Sequence, residues 1–163
     1  MAARHVIIGG GPGGINAIET IRGYDADASI TLISDEPAYA RMALPYYISK
    51  SIPVDQVLTG DDGYFSNLGV TTQFGLRVTS VNASENTVTL DNGSTVEYDN
   101  LLIATGSSPQ PLPIPGADGE GVHNLWTMDD AKNVVAAMDG DAEVAFIGAG
   151  FIGFIILNAM YKI

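Results

Sequence analysis

Two glycine-rich segments of one spacing are the parts of this sequence best suited to chemistry. Residues 9–14 read GGGPGG, and residues 148–153 read GAGFIG. Both fit G-x-G-x-x-G, in which glycine permits a tight turn and lets backbone N–H groups and a helix N-terminus approach a phosphate. Two such turns predict two bound dinucleotides. The candidate phosphate-binding residues are Gly9, Gly11, Pro12, Gly13 and Gly14 in the first turn, and Gly148, Gly150 and Gly153 in the second.

The sequence around the first turn predicts a strand, a helix and a second strand. Val6-Ile7-Ile8 is an apolar run typical of a strand buried on both faces of a parallel sheet. A helix is predicted from Gly13 to Arg22, and a short strand over Ser29–Ile33. Together they predict a right-handed β-α-β unit with the glycine turn at its first junction.

An acidic pair, Asp35-Glu36, follows the second strand. Asp35 lies 21 residues beyond Gly14, where an acidic side chain can accept hydrogen bonds from ribose hydroxyls. Glu36 is the alternative for this role. An aspartate that lies in the loop by chance is the other interpretation, since loops favour Asp.

The middle of the chain predicts an antiparallel meander. Three alternating segments, 77–81, 87–90 and 94–97, are separated by polar turns, the second of which contains Asn92-Gly93. We expect the meander to cover one face of the parallel sheet in place of a crossover helix. The next segment, Asn100–Gly106, predicts another buried strand that ends in small residues, which let a ligand approach the backbone.

A proline- and glycine-rich stretch then separates a second region. Thr127 is predicted to cap a helix that runs to Met138 and stops at Asp139-Gly140, and 143–147 predicts a strand that leads into the second glycine turn. The predicted fold is therefore α/β: a Rossmann-like parallel sheet with the meander on one face, followed by the start of a second dinucleotide-binding unit. The predicted domains are 1–110 and 122–163, with a linker over 111–121.

Composition excludes several classes of function. The net charge is −12, from 19 acidic and 7 basic residues without a basic cluster, so nucleic acid is not an expected partner. The absence of cysteine excludes disulfides, thiolate nucleophiles and Cys-ligated metals in this sequence. The two histidines, His5 and His123, are too far apart in sequence to indicate a metal pair. Because no signal peptide is evident, a cytoplasmic protein is the expectation.

One further segment resembles a known family. Residues 98–109, YDNLLIATGSSP, followed by Ile114-Pro115-Gly116, are similar to the Ala-Thr-Gly motif and proline-rich crossing of the pyridine nucleotide-disulfide oxidoreductases. The two glycine turns occur in the matching order around this motif. The resemblance implies that FAD and NAD(P)H are the two dinucleotides.

The resemblance also implies roles for individual residues. Gly9, Gly11 and Gly14 correspond to the FAD pyrophosphate turn, and Asp35, or else Glu36, to the residue that binds the adenosine ribose. The remaining implied FAD contacts are Arg41 at the phosphates, Val78 through its backbone at adenine, and Ala104, Thr105 and Gly106 beside the cofactor. A solvated Arg41 and a merely structural Val78 are the alternatives.

In some family members that the segment around Met42 resembles, a redox cysteine lies near the flavin. Met42 occupies the position of that cysteine in this sequence. A thioether forms neither a sulfenate nor a mixed disulfide, so chemistry through that cysteine is excluded. The resemblance then implies reductases like those of ferredoxin, rubredoxin or nitrite reductase. In these, electrons pass from NAD(P)H through FAD to an acceptor, and the flavin carries the chemistry. No side chain is predicted to be catalytic.

The end of the sequence suggests a piece of a longer reductase. The predicted helix after Gly150 is apolar on nearly every side, so we expect it to meet partners, including another copy of the chain in a homo-oligomer. The uncharged stretch Val144–Tyr161 leaves a marginal membrane span as a less favoured alternative. A stand-alone FAD- or nucleotide-binding fragment without turnover is the alternative function.

Overall fold

The structure is a computed structural model that describes residues 2–60, 63–138 and 141–163. The chain divides into two compact units, Met1–Tyr39 with Leu58–Gly106, and Ala40–Val57 with Ser107–Ile163. The elements in chain order are β1 (Arg4–Ile8), α1 (Pro12–Tyr24), β2 (Ser29–Ser34), α2 (Leu44–Ile48), α3 (Tyr64–Asn67), β3 (Val70–Phe74), β4 (Val78–Asn82), β5 (Thr87–Leu90), β6 (Thr95–Glu97), β7 (Asn100–Ile103), α4 (Met128–Ala137) and α5 (Phe151–Met160).

A parallel sheet forms the centre of the first unit, with strand order β3-β2-β1-β7. The predicted β1-α1-β2 unit is present, and His5 is in register with Ile30 of β2 and Asn100 of β7. Side chains alternate across the sheet. Ile7 therefore faces α1, where it joins a buried cluster with Ile15 and Ile18.

The meander packs on the opposite face of this sheet, as predicted. Strands β4, β5 and β6 pair antiparallel in that order. Val88 and Leu90 of β5 are fully buried in one cluster with Val6, Ile8 and Ile33. The two faces of the sheet are thus covered by different kinds of structure, a helix on one side and a small sheet on the other.

The two edge strands of the parallel sheet differ from expectation. Strand β3 was not predicted, because only Val70 of its residues is buried and its polar side chains hide the pattern. Strand β7 was predicted to be buried, and this is wrong: Leu102 and Ile103 are 39% and 61% exposed. The reason is position, since β7 pairs with β1 alone among the described strands and so lies at the sheet edge.

The second unit is built from helices. Thr127 caps α4 as predicted: its side chain accepts the Asp130 N–H while the Asp130 carboxylate accepts the Thr127 N–H, a reciprocal capping box. Helix α2 packs against both α4 and α5. The predicted stop of α4 at Asp139-Gly140 lies outside the described residues.

No strand forms over 143–147, so this prediction is wrong. A strand persists when a neighbouring strand satisfies its backbone groups, and among the described residues none pairs with this segment. Helix α5 follows, and it buries only Ile156 and Ala159. Across the described ranges, no helix has the length and apolarity needed to cross a membrane.

Candidate dinucleotide-binding site

The first glycine turn lies at the carboxyl end of β1, between β2 and β7. The Gly9 N–H donates to the Ile33 carbonyl (2.8 Å), and the Ala104 N–H donates to the Ile8 carbonyl (2.8 Å). Gly9 has φ +112°, which favours glycine. Ligands of open parallel sheets bind outside the carboxyl ends of the strands, so the turn is in the position that a nucleotide requires.

The inner side of this turn has no room for side chains. A Cβ on Gly9 would lie 2.3 Å from the Ala104 carbonyl oxygen, and one on Gly14 would lie 2.0 Å from the Gly9 carbonyl oxygen. A Cβ on Gly10 would lie 3.2 Å from Cα of Ala38. By contrast, a Cβ on Gly11 would meet nothing within 4 Å. The turn is closed towards the protein and open at Gly11.

Helix α1 begins at this open position. Gly11 is its N-cap, no side chain caps it, and its first turn contains no acidic residue. The first N–H groups of a helix lack intrahelical partners and carry the positive end of the helix dipole. The backbone therefore fits a pyrophosphate group, which would occupy the space that a side chain at Gly11 would fill.

The two acidic candidates after β2 have different partners. Arg77 Nη2 lies 2.5 Å from Asp35 Oδ2, and both side chains are exposed, at 70% and 46%. The Tyr39 hydroxyl donates to a carboxylate oxygen of Glu36. Asp35 and Glu36 both follow the carboxyl end of β2. The glycine turn follows the carboxyl end of the parallel strand β1, so all three lie at the same edge of the sheet.

The segment after β7 forms the other wall of the turn. The Ala104 Cβ lies 3.6 Å from the position of a Cβ on Gly13. Thr105 and Gly106 are exposed, and Gly106 has φ +69°, which favours glycine. Val78 lies at the start of β4, is half-buried, and pairs with Leu90. The first unit thus contains all the predicted FAD-binding residues except Arg41.

Arg41 belongs to the second unit, where it binds the single tryptophan. Its Nη1 donates to the Trp126 carbonyl (2.7 Å), and its guanidinium carbon lies 5.1 Å from the centroid of the Trp126 ring. The indole N–H in turn donates to the Ser107 carbonyl (2.7 Å). The structure therefore gives Arg41 a packing role that the sequence did not predict.

The second glycine turn has the backbone conformation of the first. Gly148 has φ +111°, against +112° for Gly9, and the N-caps Gly150 and Gly11 have φ −79° and −80°. The surroundings differ: a Cβ on Gly148 or Gly150 would meet nothing within 4 Å. The turn has the predicted shape, but the described residues supply no sheet against which it packs.

The sequence matches the family described as "Pyridine nucleotide-disulphide oxidoreductase" over residues 3–159. The chain belongs to this family. Its relatives include the NADH-dependent phenylglyoxylate dehydrogenase subunit epsilon of Aromatoleum evansii, 33% identical over 92% of this chain and 36% of the relative. Rhodocoxin reductase of Rhodococcus erythropolis is 33% identical over 96% of this chain and 38% of its own length.

A solved structure agrees with these sequence matches. The ferredoxin reductase for the CYP199A2 system from Rhodopseudomonas palustris superposes with a TM-score of 0.90 at 26% identity, over 98% of this chain and 40% of that one. This pyridine nucleotide-disulphide oxidoreductase chain therefore spans about two fifths of the length of such relatives.

Three contributors to the site of this family member were not identified from sequence. Ser34 and Ala38 border Gly10 closely, and Arg77 binds Asp35. The variable positions of G-x-G-x-x-G give no signal for the first two contacts. Arg77 was noted only as the start of a strand, and no pattern in sequence could pair it with a residue 42 positions away.

The opposite end of β1 is fixed by an ion pair rather than by glycines. Arg4 Nη2 lies 2.9 Å from Asp99 Oδ1, and the Arg4 backbone N–H donates to Asp99 Oδ2 (2.8 Å). The side-chain hydrogen bond from Arg4, followed by the backbone bond, lowers the pKa of Asp99 to about 2. This pair links the start of β1 to the residue before β7, at the end of the sheet away from the glycine turn.

Proposed function

We propose that this chain is the FAD-binding portion of an FAD-dependent NAD(P)H oxidoreductase that passes electrons to an acceptor. The observation that carries the proposal is the first glycine turn, which is closed against Ala104 on its inner side and open at Gly11. FAD, when bound, supplies hydride acceptance and electron release. The residues of this chain bind and orient it.

Each part of the first unit has a role in this proposal. The N-terminus of α1 binds the pyrophosphate through backbone N–H groups. Asp35 accepts a hydrogen bond from the adenosine ribose, and the Val78 backbone meets adenine. Thr105 and Gly106 follow β7 beside the cofactor, where small or exposed residues leave the backbone accessible.

The proposed route of electrons uses no thiol of this chain. The sequence contains no cysteine, and Met42 is 87% exposed. Electron transfer from FAD to a separate acceptor needs no protein nucleophile. The names of two relatives, rhodocoxin reductase and ferredoxin reductase, support a small electron-transfer protein as the acceptor.

A second candidate is nucleotide binding without turnover. It is favoured by the region of the second glycine turn, where 143–147 forms no strand and a Cβ on Gly148 would meet no described residue other than its chain neighbours within 4 Å. A nicotinamide nucleotide needs a formed sheet edge beside its glycine turn, by the same rule that applies to the first turn. For the 163-residue chain itself, we propose FAD binding without steady turnover.

An absorption titration tests both candidates. The purified chain is mixed with FAD, excess FAD is removed, and the retained flavin bands and stoichiometry are measured. We expect retained FAD that NADH reduces slowly or not at all in this chain, and rapid NADH oxidation with a dye acceptor in the longer reductase. A colourless protein would overturn FAD binding by the chain. Fast reduction by NADH would overturn the second candidate.

Three further assignments concern domain limits, location and oligomeric state. The domain limits 1–110 and 122–163, the cytoplasmic location and the homo-oligomer formed through α5 stay predictions. The apolar side chains that α5 exposes, such as Phe151 and Phe154, support the homo-oligomer.

A further inference from the structure

The salt bridge between Arg77 and Asp35 connects two segments that are distant in sequence. It joins the loop after β2 to the residue immediately before β4. Under the proposed function, on which this inference rests, Asp35 binds ribose and Val78 meets adenine. Arg77 is the chain neighbour of Val78, so the pair links the two residues that would recognise the adenosine.

The backbone on both sides of this link is fixed. The Arg77 carbonyl accepts the Asp91 N–H (2.9 Å), which holds the start of β4 to the end of the β4–β5 hairpin. On the other side, Ile33 is fully buried two residues before Asp35 and packs in one cluster with Val88 and Leu90 of that hairpin. The side chains therefore meet between two anchored backbones.

We propose that Arg77 is a positioning residue for ribose recognition. A partly exposed carboxylate samples several rotamers, and fixing it beforehand removes an entropic cost from binding. Arg77 holds Oδ2 of Asp35. A carboxylate has about four acceptor positions over its two oxygens, so the bond to Arg77 leaves acceptor positions of Asp35 for a ribose hydroxyl.

The positive charge of Arg77 also favours nucleotide binding. The chain has a net charge of −12, and the proposed ligand carries a pyrophosphate. An aspartate alone would repel such a ligand, whereas an arginine at 2.5 Å offsets that repulsion. The effect is electrostatic at a partly exposed pair, so salt weakens it.

The test compares ADP with 2′-deoxy-ADP, which lacks only the ribose 2′-hydroxyl. In the proposal, this hydroxyl donates a hydrogen bond to Asp35. Calorimetry gives the Kd of both nucleotides for the wild-type chain, Arg77→Gln, Asp35→Asn and the double variant. Arg4→Gln is the matched control, because it breaks a salt bridge at the opposite end of the sheet. Thermal unfolding shows which variants fold, and Arg77→Met, which also removes the charge, replaces Arg77→Gln if the latter does not.

We expect wild type and Arg4→Gln to prefer ADP by about tenfold, the value of one hydrogen bond to a charged group. Arg77→Gln should reduce the preference to about twofold, close to that of Asp35→Asn. The double variant should show no further loss of the ADP preference.

Three results in Arg77→Gln would each overturn the positioning role: an unchanged preference for ADP, an equal loss of affinity for both nucleotides, or tighter binding of ADP. If wild type binds neither FAD nor ADP, the proposed function fails first. Binding of FAD without any ribose preference would overturn this inference alone.

Discussion

Gly14 faces the carbonyl oxygen of Gly9 so closely that a methyl group on Gly14 would lie 2.0 Å from it. This contact joins the first turn of α1 to the end of β1. The third glycine of the motif is therefore fixed by packing between helix and strand, whereas the second, Gly11, is open. The two positions lead to different predictions.

Gly14→Ala should destabilise the fold and abolish FAD retention. The methyl group must push the helix away from the Gly9 carbonyl, and such overpacking costs about 1–3 kcal/mol. Gly23→Ala is the control on the same helix, because its Cβ would meet nothing within 4 Å. The control should be about 0.5–1 kcal/mol more stable than wild type, since alanine favours helix. Urea unfolding of both variants measures the contrast, and equal stabilities would contradict it.

Gly11→Ala should bind FAD at least tenfold more weakly, while its unfolding free energy falls by about 1 kcal/mol or less, because alanine is less favourable than glycine at a helix N-cap. Its φ of −80° suits alanine, and apart from its chain neighbours no described residue has an atom within 4 Å of the added Cβ. The methyl group would occupy the space proposed for the pyrophosphate. Flavin fluorescence titration and thermal unfolding separate the two effects. Undiminished affinity would show that the ligand does not approach the turn at Gly11.

Arg41→Ala should shift the emission of Trp126 to longer wavelength. The guanidinium covers the ring and donates to the Trp126 carbonyl, so its removal exposes the indole and costs about 1 kcal/mol. The sequence has one tryptophan, so the signal has a single source. Lys132→Ala on α4, which removes only an exposed pair with Asp129, should leave the spectrum unchanged. An unshifted spectrum in Arg41→Ala would mean that the contact is not kept in solution.

Asp99 should contribute to the pH dependence of stability only in acid. Its pKa is lowered to about 2 by Arg4, so its contribution is complete above the unfolded pKa near 4 and is lost as the pH falls towards 2. Asp99→Asn should therefore be less stable at pH 7 and lose less stability between pH 4 and 2. Urea unfolding across this range measures the slope. A slope equal to that of wild type would remove Asp99 as a cause of acid sensitivity.

Phe154→Lys should reduce self-association of the chain. Phe154 is 61% exposed on α5, among other exposed apolar side chains, and a charge there opposes apolar contact. Tyr24→Lys, at a residue 92% exposed on α1, is the control for an added charge on another helix. Sedimentation at several concentrations gives the oligomeric state. If wild type is monomeric throughout, the homo-oligomer prediction is wrong.

The sequence allowed the first unit to be predicted because its local patterns agree with its packing. Val6-Ile7-Ile8 is apolar since β1 is central, and the Asn92-Gly93 turn marks a hairpin that does form. Edge strands gave weaker signals. β3 has polar side chains because one edge needs little burial, and the apolar residues of β7 concealed its exposed position.

Features that depend on residues distant in the chain were not predicted from local patterns. Segment 143–147 has the composition of a strand, but composition does not supply the neighbour that a strand needs. Asp35 was selected as a ribose-binding candidate from its spacing to Gly14, and this role stays a prediction. Its pairing with Arg77 depends on how the meander packs on the sheet. Arg41 was assigned from resemblance, and its contact with Trp126 has no signature in either segment.

The pairing of β1 with β7 has a consequence for the order of folding. His5 pairs with Ile30 within one β-α-β unit, but its partner on the other side is Asn100, after the whole meander. Closing so long a loop is entropically costly, so β7 should dock late. Ala104, which lies beside the glycine turn, takes its position together with β7. The proposed nucleotide pocket is then among the last features to form, and a bound cofactor should slow unfolding rather than hasten folding.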